Sequence, residues 1–133
     1  MNLFTFFHVF LYRLTGGKIG GKFGPGQVLL LDSMDRKTGK VRTNPVMYIR
    51  DGNNYVVTAS AGGAARNPGW YHNLKANPRT TIQVMNQKMT LTVEEALAEK
   101  REALWVKLTT QQPQFKGYAS KTTRKIPILI LKP

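Results

Sequence analysis

Apolar positions along this chain fall into short continuous runs and one-sided helical spacings, separated by glycine, proline and asparagine. Met1–Leu14, MNLFTFFHVFLYRL, has apolar residues at both helical and adjacent spacings. It is too short to cross a bilayer as a helix, which takes about twenty apolar residues, and it lacks the basic start and small-residue cleavage site of a signal peptide. Three readings stand side by side. The segment is a helix packed on the domain or on a dimer partner; or an interfacial membrane helix, with Arg13, Lys18 and Lys22 following the apolar run; or the remainder of a longer, trimmed N-terminus. His8 reads as a packed or surface residue. Gly16–Gly26 carries six glycines and one proline, which predicts a loop able to close over a ligand. No strand precedes it, so a dinucleotide-binding glycine motif is not supported.

Val28–Leu31 is a continuous apolar run of the kind that forms a buried strand, and Val41–Arg50 resumes after the turn Asp35–Gly39, giving a hairpin. Asp51-Gly52-Asn53 predicts a further turn and Tyr55–Ser60 a third strand. Arg79–Val84 and Met89–Val93 read as two strands around Asn86-Gln87. Thr92 with Glu95 three residues on is a capping-box pattern, and Leu97, Leu104 and Leu108 supply one face of the helix it would open. Trp105 reads as core on that helix. Gln111–Lys121 is polar, an irregular segment placed to act as a lid. Ile126–Leu131 is the last strand, with Pro127 at an edge or a starting position. About six strands in hairpin sequence with two or three helices predict an α+β antiparallel barrel.

Composition narrows the chemistry. With 133 residues the chain is about one domain, and a domain of this size leaves enough surface exposed that a homodimer would bury more. Cysteine is absent, which excludes disulfides, thiolate metal sites and a cysteine nucleophile. His8 and His72 are the only histidines, a poor basis for a zinc site or a His-dependent triad. Twenty Lys and Arg against seven Asp and Glu give a formal charge of +13, which calls for a polyanionic partner: nucleic acid, an anionic membrane or a phosphorylated cofactor. The acids cluster in Glu94–Glu102, where they read as a solvated helix start rather than a catalytic carboxylate pair.

Gly62–Pro78, GGAARNPGWYHNLKANP, departs most from core-and-turn composition. Asn67-Pro68 fits an N-cap and first helical position, and the helix would end near Asn77-Pro78. Its first turn would offer unpaired N–H groups to an anionic ligand, with Trp70 and Tyr71 as flat rings beside it. The plain alternative is a turn and a helix whose aromatics are core. In the Asp35–Gly39 hairpin, Arg36, Lys37, Thr38 and Arg42 could face one anion, or simply form an exposed charged turn.

The spelling NPGWYHNLKANP, with GG shortly before it and DRKTGKVRTNP well upstream, resembles the deazaflavin-dependent nitroreductase family, whose members use coenzyme F420. The likeness runs from about Val28 to the C-terminus and is weakest between Glu94 and Lys121. It implies a split β-barrel over residues 25–133, with residues 1–24 as an N-terminal helix and glycine-rich loop. It implies that Arg36, Lys37, Thr38 and Arg42 meet the phosphate-bearing side of the cofactor, and that Thr43, Asn44, Pro45, Val46 and Met47 continue along it. Thr58, Ala59, Ser60, Ala61, Gly62, Gly63, Asn67, Pro68, Gly69, Trp70, Tyr71, His72 and Asn73 complete the implied cofactor set. Ser60, Gln112, Phe115 and Tyr118 fall at substrate-pocket positions. Three departures stand out: Ala61 where lysine is frequent, Phe115 in place of a tyrosine, and Gln112 in place of another aromatic.

The function implied is hydride transfer from reduced F420 to an electron-poor small molecule such as a quinone, an enone or a nitroaromatic, with no protein nucleophile or metal. The expected location is cytoplasmic, with the membrane surface reachable through Met1–Leu14. An FMN oxidoreductase on the same barrel is the alternative within the enzyme class. A basic nucleic-acid or membrane-binding module is the alternative outside it, although the cations lack the repeated aromatic–basic pattern of a nucleic-acid binder.

Overall fold

The computed structural model describes residues 3–23 and 26–133. In chain order these form α1 (Leu3–Thr15), β1 (Lys22–Phe23), β2 (Gly26–Met34), β3 (Val41–Asp51), β4 (Asn54–Thr58), a 3-10 turn (Ala61–Gly63), α2 (Gly69–Ala76), β5 (Arg79–Val84), β6 (Gln87–Glu95), α3 (Ala98–Gln111), α4 (Gln114–Ser120) and β7 (Ile128–Lys132). Every strand pairing is antiparallel. The sheet runs β2-β3-β4-β7-β6-β5 and returns to β2 through Leu30↔Gln83 and Leu31↔Ile82, which closes a six-stranded barrel. β1 is a two-residue addition on β2.

The continuous apolar runs follow from this closure. Side chains alternate across a strand, and on β2 Leu29 and Leu31 point into the barrel while Val28 and Leu30 lie under Val9 and Tyr12 of α1. On β7, Leu129 and Leu131 fill the barrel, and Ile128 and Ile130 pack on Leu104, Leu108 and Phe115 of α3 and α4. A strand covered on both faces has no position for a polar residue, so the period-two signal disappears. Tyr12 fastens α1 to the barrel: its buried hydroxyl donates toward the Val28 and Gln83 carbonyls, at 3.0 and 3.2 Å, and accepts the Met85 N–H at 2.8 Å.

The α1 helix therefore packs on the domain, as one of the three N-terminal readings has it. It also leaves Leu3, Phe4, Phe6, Phe7, Phe10 and Leu14 at least half exposed. No helix among the described residues is long and apolar enough to cross a membrane. Within the glycine-rich stretch, residues 16–21 form a loop, Lys22–Phe23 is β1 and Gly26 opens β2, and the expected boundary at residues 24 and 25 lies outside the described residues.

Several expectations need correction. Thr92 and Glu95 do not cap a helix; they sit in β6, paired with Lys132 and Leu129 of β7. Because β6 is held on both sides, by β5 and β7, the strand continues through Glu95 and the helix waits until Ala98. Leu97 is the N-cap of α3 and is 67% exposed, so it contributes nothing to the helix's buried face. Gln111–Lys121 is not irregular, since α4 occupies most of it. The N-cap of α2 is Pro68 in an extended conformation rather than Asn67, and α2 starts at Gly69. β7 lies between β4 and β6, so Pro127 marks a strand start and not an edge.

Candidate active site

Two cavities meet at Trp70. The first, about 270 Å³, is lined by His8 of α1, Val28 of β2, Pro45, Val46 and Met47 of β3, Thr58 of β4, Ser60, Ala61 and Gly62 at the 3-10 turn, Trp70, and Phe115 and Tyr118 of α4. The second, about 420 Å³, is lined by Asp35, Arg36, Arg42, Thr43, Asn44, Pro68, Gly69, Trp70 and Asn73. β3 runs along both, its polar start at the second cavity and its apolar middle at the first. A single elongated ligand can thus have a charged end between the hairpin and α2 and a flat end beside Trp70.

The charged end is held by a compact hydrogen-bond set. Asp35 accepts from the Lys37 and Thr38 N–H groups, both at 2.9 Å, and pairs with Arg42 at 3.4 Å. The Thr38 and Lys37 backbone donors, with Arg42 beside them, pull its carboxyl pKa down to about 2. Asn73, buried on α2, takes the Arg36 N–H and guanidinium on its Oδ1, at 3.2 and 3.0 Å, and donates to Ser33 at 3.1 Å. That side chain fixes the hairpin against the helix and so sets the width of the groove.

The flat end is held from below by Arg124, a residue that no motif or spacing in the sequence singles out. Its guanidinium donates to the Ala64 carbonyl at 2.9 Å, the Asn67 side chain at 2.6 Å and the Ser60 carbonyl at 2.8 Å, clamping the turn that carries Ala61–Gly63. That turn is left-handed throughout, with φ of 47°, 65° and 86°. Gly63 lies against α4: a Cβ there would come within 2.6 Å of the Tyr118 carbonyl oxygen. The turn and α4 therefore position each other.

Not every implied residue reaches the cavities. Lys37 and Thr38 belong to the exposed turn beside the groove. Ala59 is in the barrel core, Gly63 is under α4, and Asn67 is held by Arg124. Tyr71 turns away to donate to Glu95 at 2.7 Å, and burial together with that carboxylate pushes its pKa up to about 12. His72 is exposed, edge-on to Tyr71. Gln112 donates to the Tyr48 carbonyl and lines a separate cavity with Gln27, Arg50 and Lys107. Phe115 does reach the first cavity, but it is 1% exposed, edge-on to Tyr118 and continuous with the core around Leu104 and Leu108. His8, read as a packed or surface residue, is packed on Gly20 and also forms part of the first cavity's wall, because α1 folds back over β2 and β3.

These residues fit a phosphorylated deazaflavin. Thr58, in the first cavity's wall, keeps a buried hydroxyl with no hydrogen-bond partner among the described residues, a group suited to a ring carbonyl or ring N–H. Arg36 and Arg42 supply guanidinium donors to the second cavity, and Gly69 leaves open space where a side chain would stand.

Comparison with known proteins agrees. The family model for F420H(2)-dependent quinone reductase matches residues 5–133. An F420H(2)-dependent quinone reductase of Mycobacterium tuberculosis is 38% identical over 128 residues, covering 93% of this chain and 86% of that protein. A solved F420-H2 dependent reductase superposes with a TM-score of 0.72 at 33% identity, covering 79% of this chain and 93% of that one. Another solved structure, described as a domain-swapped dimer, gives a TM-score of 0.75 at 30% identity over 95% of this chain and 93% of its own. The barrel is that of the split-barrel fold, and the chain is a deazaflavin-dependent oxidoreductase. The chain belongs to the F420H(2)-dependent quinone reductase family.

Proposed function

We propose that the first cavity receives the deazaflavin ring with a quinone against it, and the second the phosphate-bearing arm of F420. The observation that carries the acceptor assignment is the chemistry of the wall. Met47, Val46, Pro45, Trp70, Phe115 and Tyr118 give the slot apolar walls, His8, Thr58 and Ser60 add polar groups, and among the described residues no lysine, arginine, aspartate or glutamate lines it. Such a slot suits a flat, uncharged acceptor. When bound, reduced F420 supplies the hydride. The chain holds the phosphate with Arg36 and Arg42, sets the flat ring against Trp70, and excludes water from the ring by placing Phe115 and Tyr118 over the slot.

Fluorescence titration against F420 and FMN, followed by steady-state reduction of a quinone, an enone and a bicyclic nitroimidazole, tests the reading. Tighter F420 binding and the order quinone and enone above nitroimidazole are expected, since Phe115 offers no hydroxyl to a nitro oxygen. Equal or tighter FMN binding would overturn the cofactor assignment.

The exposed face of α1 supports a second part of the reading, that the protein rests on an anionic membrane surface. Phe6, Phe7 and Phe10 are each half exposed, Arg13, Lys18 and Lys22 follow them, and the chain carries +13. Co-sedimentation with vesicles containing anionic lipid, lost in Phe6→Ser/Phe10→Ser, is the expected result. Concentration-dependent dimerisation without vesicle binding would assign the face to a second copy of the chain instead.

A further inference from the structure

The wall of the first cavity contains one imidazole, and the fold holds it in a defined way. His8 stands on α1 with Nε2 2.8 Å from the Gly20 carbonyl oxygen. A carbonyl oxygen only accepts, so Nε2 carries the hydrogen and Nδ1 is the ring nitrogen left over. Gly20 makes the approach possible: its φ is +87°, and a Cβ there would fall 2.7 Å from His8 Cδ2 and 2.9 Å from Nε2. The Phe4 ring, edge-on with centroids 6.5 Å apart, packs against the imidazole from one turn earlier. Backbone on one edge and a ring beside it fix the orientation of a side chain that would otherwise have several rotamers.

The surroundings leave this ring as a distinctive resource. The other titratable group on the cavity wall is Tyr118 of α4, and the wall's remaining side-chain donors are the hydroxyls of Thr58 and Ser60 and the Trp70 indole N–H, none of which ionises to release a proton near neutral pH. Arg13, the nearest cation along α1, is turned to Thr43 at 3.1 Å and Asp32 at 3.8 Å. Two-electron reduction of a carbonyl acceptor adds a hydride at one atom and a proton at oxygen. The developing oxyanion needs a group in the slot that can give up a proton.

We propose that His8 is the proton donor to the acceptor oxygen, acting through Nδ1. The Nδ1–H bond of the imidazolium breaks as the acceptor O–H bond forms, and the neutral imidazole then takes a proton back from solvent. The hydride comes from the reduced cofactor, whose second hydrogen leaves as a proton, so the acceptor gains two hydrogens and charge balances. The inference rests on the assignment of a carbonyl acceptor to the first cavity.

His8→Gln keeps an N–H donor for the Gly20 carbonyl but cannot deliver an ionisable proton, which separates positioning from chemistry. Quinone reduction by this variant should lose about 10²-fold in kcat, with quinone KM and F420 affinity changed less than about twofold. The alkaline fall in the wild-type kcat–pH profile should disappear, and added imidazole should restore turnover to His8→Ala. In the protein without cofactor, 15N NMR of the histidine ring should show the neutral form protonated at Nε2. An enzyme active on quinone but unaffected by His8→Gln, or a neutral ring protonated at Nδ1, overturns this inference alone. A protein bearing F420 but inactive on every quinone overturns the acceptor assignment and this inference with it.

Discussion

Gly63→Ala tests whether α4 and the left-handed turn hold each other in place. The added Cβ would lie 2.6 Å from the Tyr118 carbonyl oxygen and 2.9 Å from the Lys121 Cβ, and the residue sits at φ +86°. The dihedral costs a non-glycine residue about 1–2 kcal/mol. The clash is with backbone and a Cβ, neither of which can swing aside, so α4 must shift at a further cost of about 1–3 kcal/mol. Together these amount to about 3 kcal/mol, which lowers the melting temperature of a domain of this size by roughly 10 °C. Gly62→Ala is the control: its φ is +65°, but nothing lies within 4 Å of the new Cβ, so only the dihedral cost applies. Thermal melting by circular dichroism, paired with quinone KM, reads both consequences. The larger melting shift and the raised KM should belong to Gly63→Ala, since Phe115 and Tyr118 move with α4. Equal shifts in the two variants would refute the argument from contact, and an unchanged melt for Gly63→Ala would refute it altogether.

Arg36→Ala and Arg42→Ala should each weaken F420 binding by about 1–3 kcal/mol if a charge-assisted phosphate contact is lost, read by fluorescence titration at a temperature where each variant is folded; Lys37→Ala, outside the groove lining, should do less. Tyr12→Phe removes the hydroxyl that joins α1 to Val28, Gln83 and Met85, and should destabilise by about 1–3 kcal/mol in urea melts, because buried backbone groups lose their partner. Asp35 has its pKa lowered from 3.8 to about 2, so the stabilisation its ionised form gives the hairpin is present above the unfolded value and is lost as pH falls from about 4 toward 2. Asp35→Asn should flatten that limb of the stability–pH curve.

The buried strands and the hairpin turn at Asp35 were legible because each depends on local signals: apolar runs, a turn rich in Asp, Thr and Gly, and a glycine at +74° where the turn closes. The helix start at Thr92 was misread because capping chemistry is also local, while β6 obeys its pairing partners on both sides. The motif around Trp70 led from the sequence to residues that do line the two cavities, among them Pro68, Gly69, Trp70 and Asn73. Arg124 and His8 could not be reached in this way, since each acts on a segment remote in sequence: Arg124 on Ser60, 64 residues away, and His8 across a cavity walled by β3, β4 and α4. Asn73 belongs between these cases. The motif contains it, but its work, tying Arg36 to Ser33, is visible only once hairpin and helix are side by side.

The strand order has a consequence for how the protein comes to be folded. β7 follows every other strand in the chain yet stands between β4 and β6. Until it arrives, each of those two has an unpaired edge, and the barrel cannot close whatever β2, β3 and β5 have done. Assembly is therefore gated by pairings between segments far apart in sequence, such as Val57 with Leu129, which makes for slow folding. A chain still emerging from the ribosome presents exposed ladders rather than a nearly complete domain. Those ladders are where a chaperone would bind it, and where a chain stalled before Ile128 would begin to aggregate.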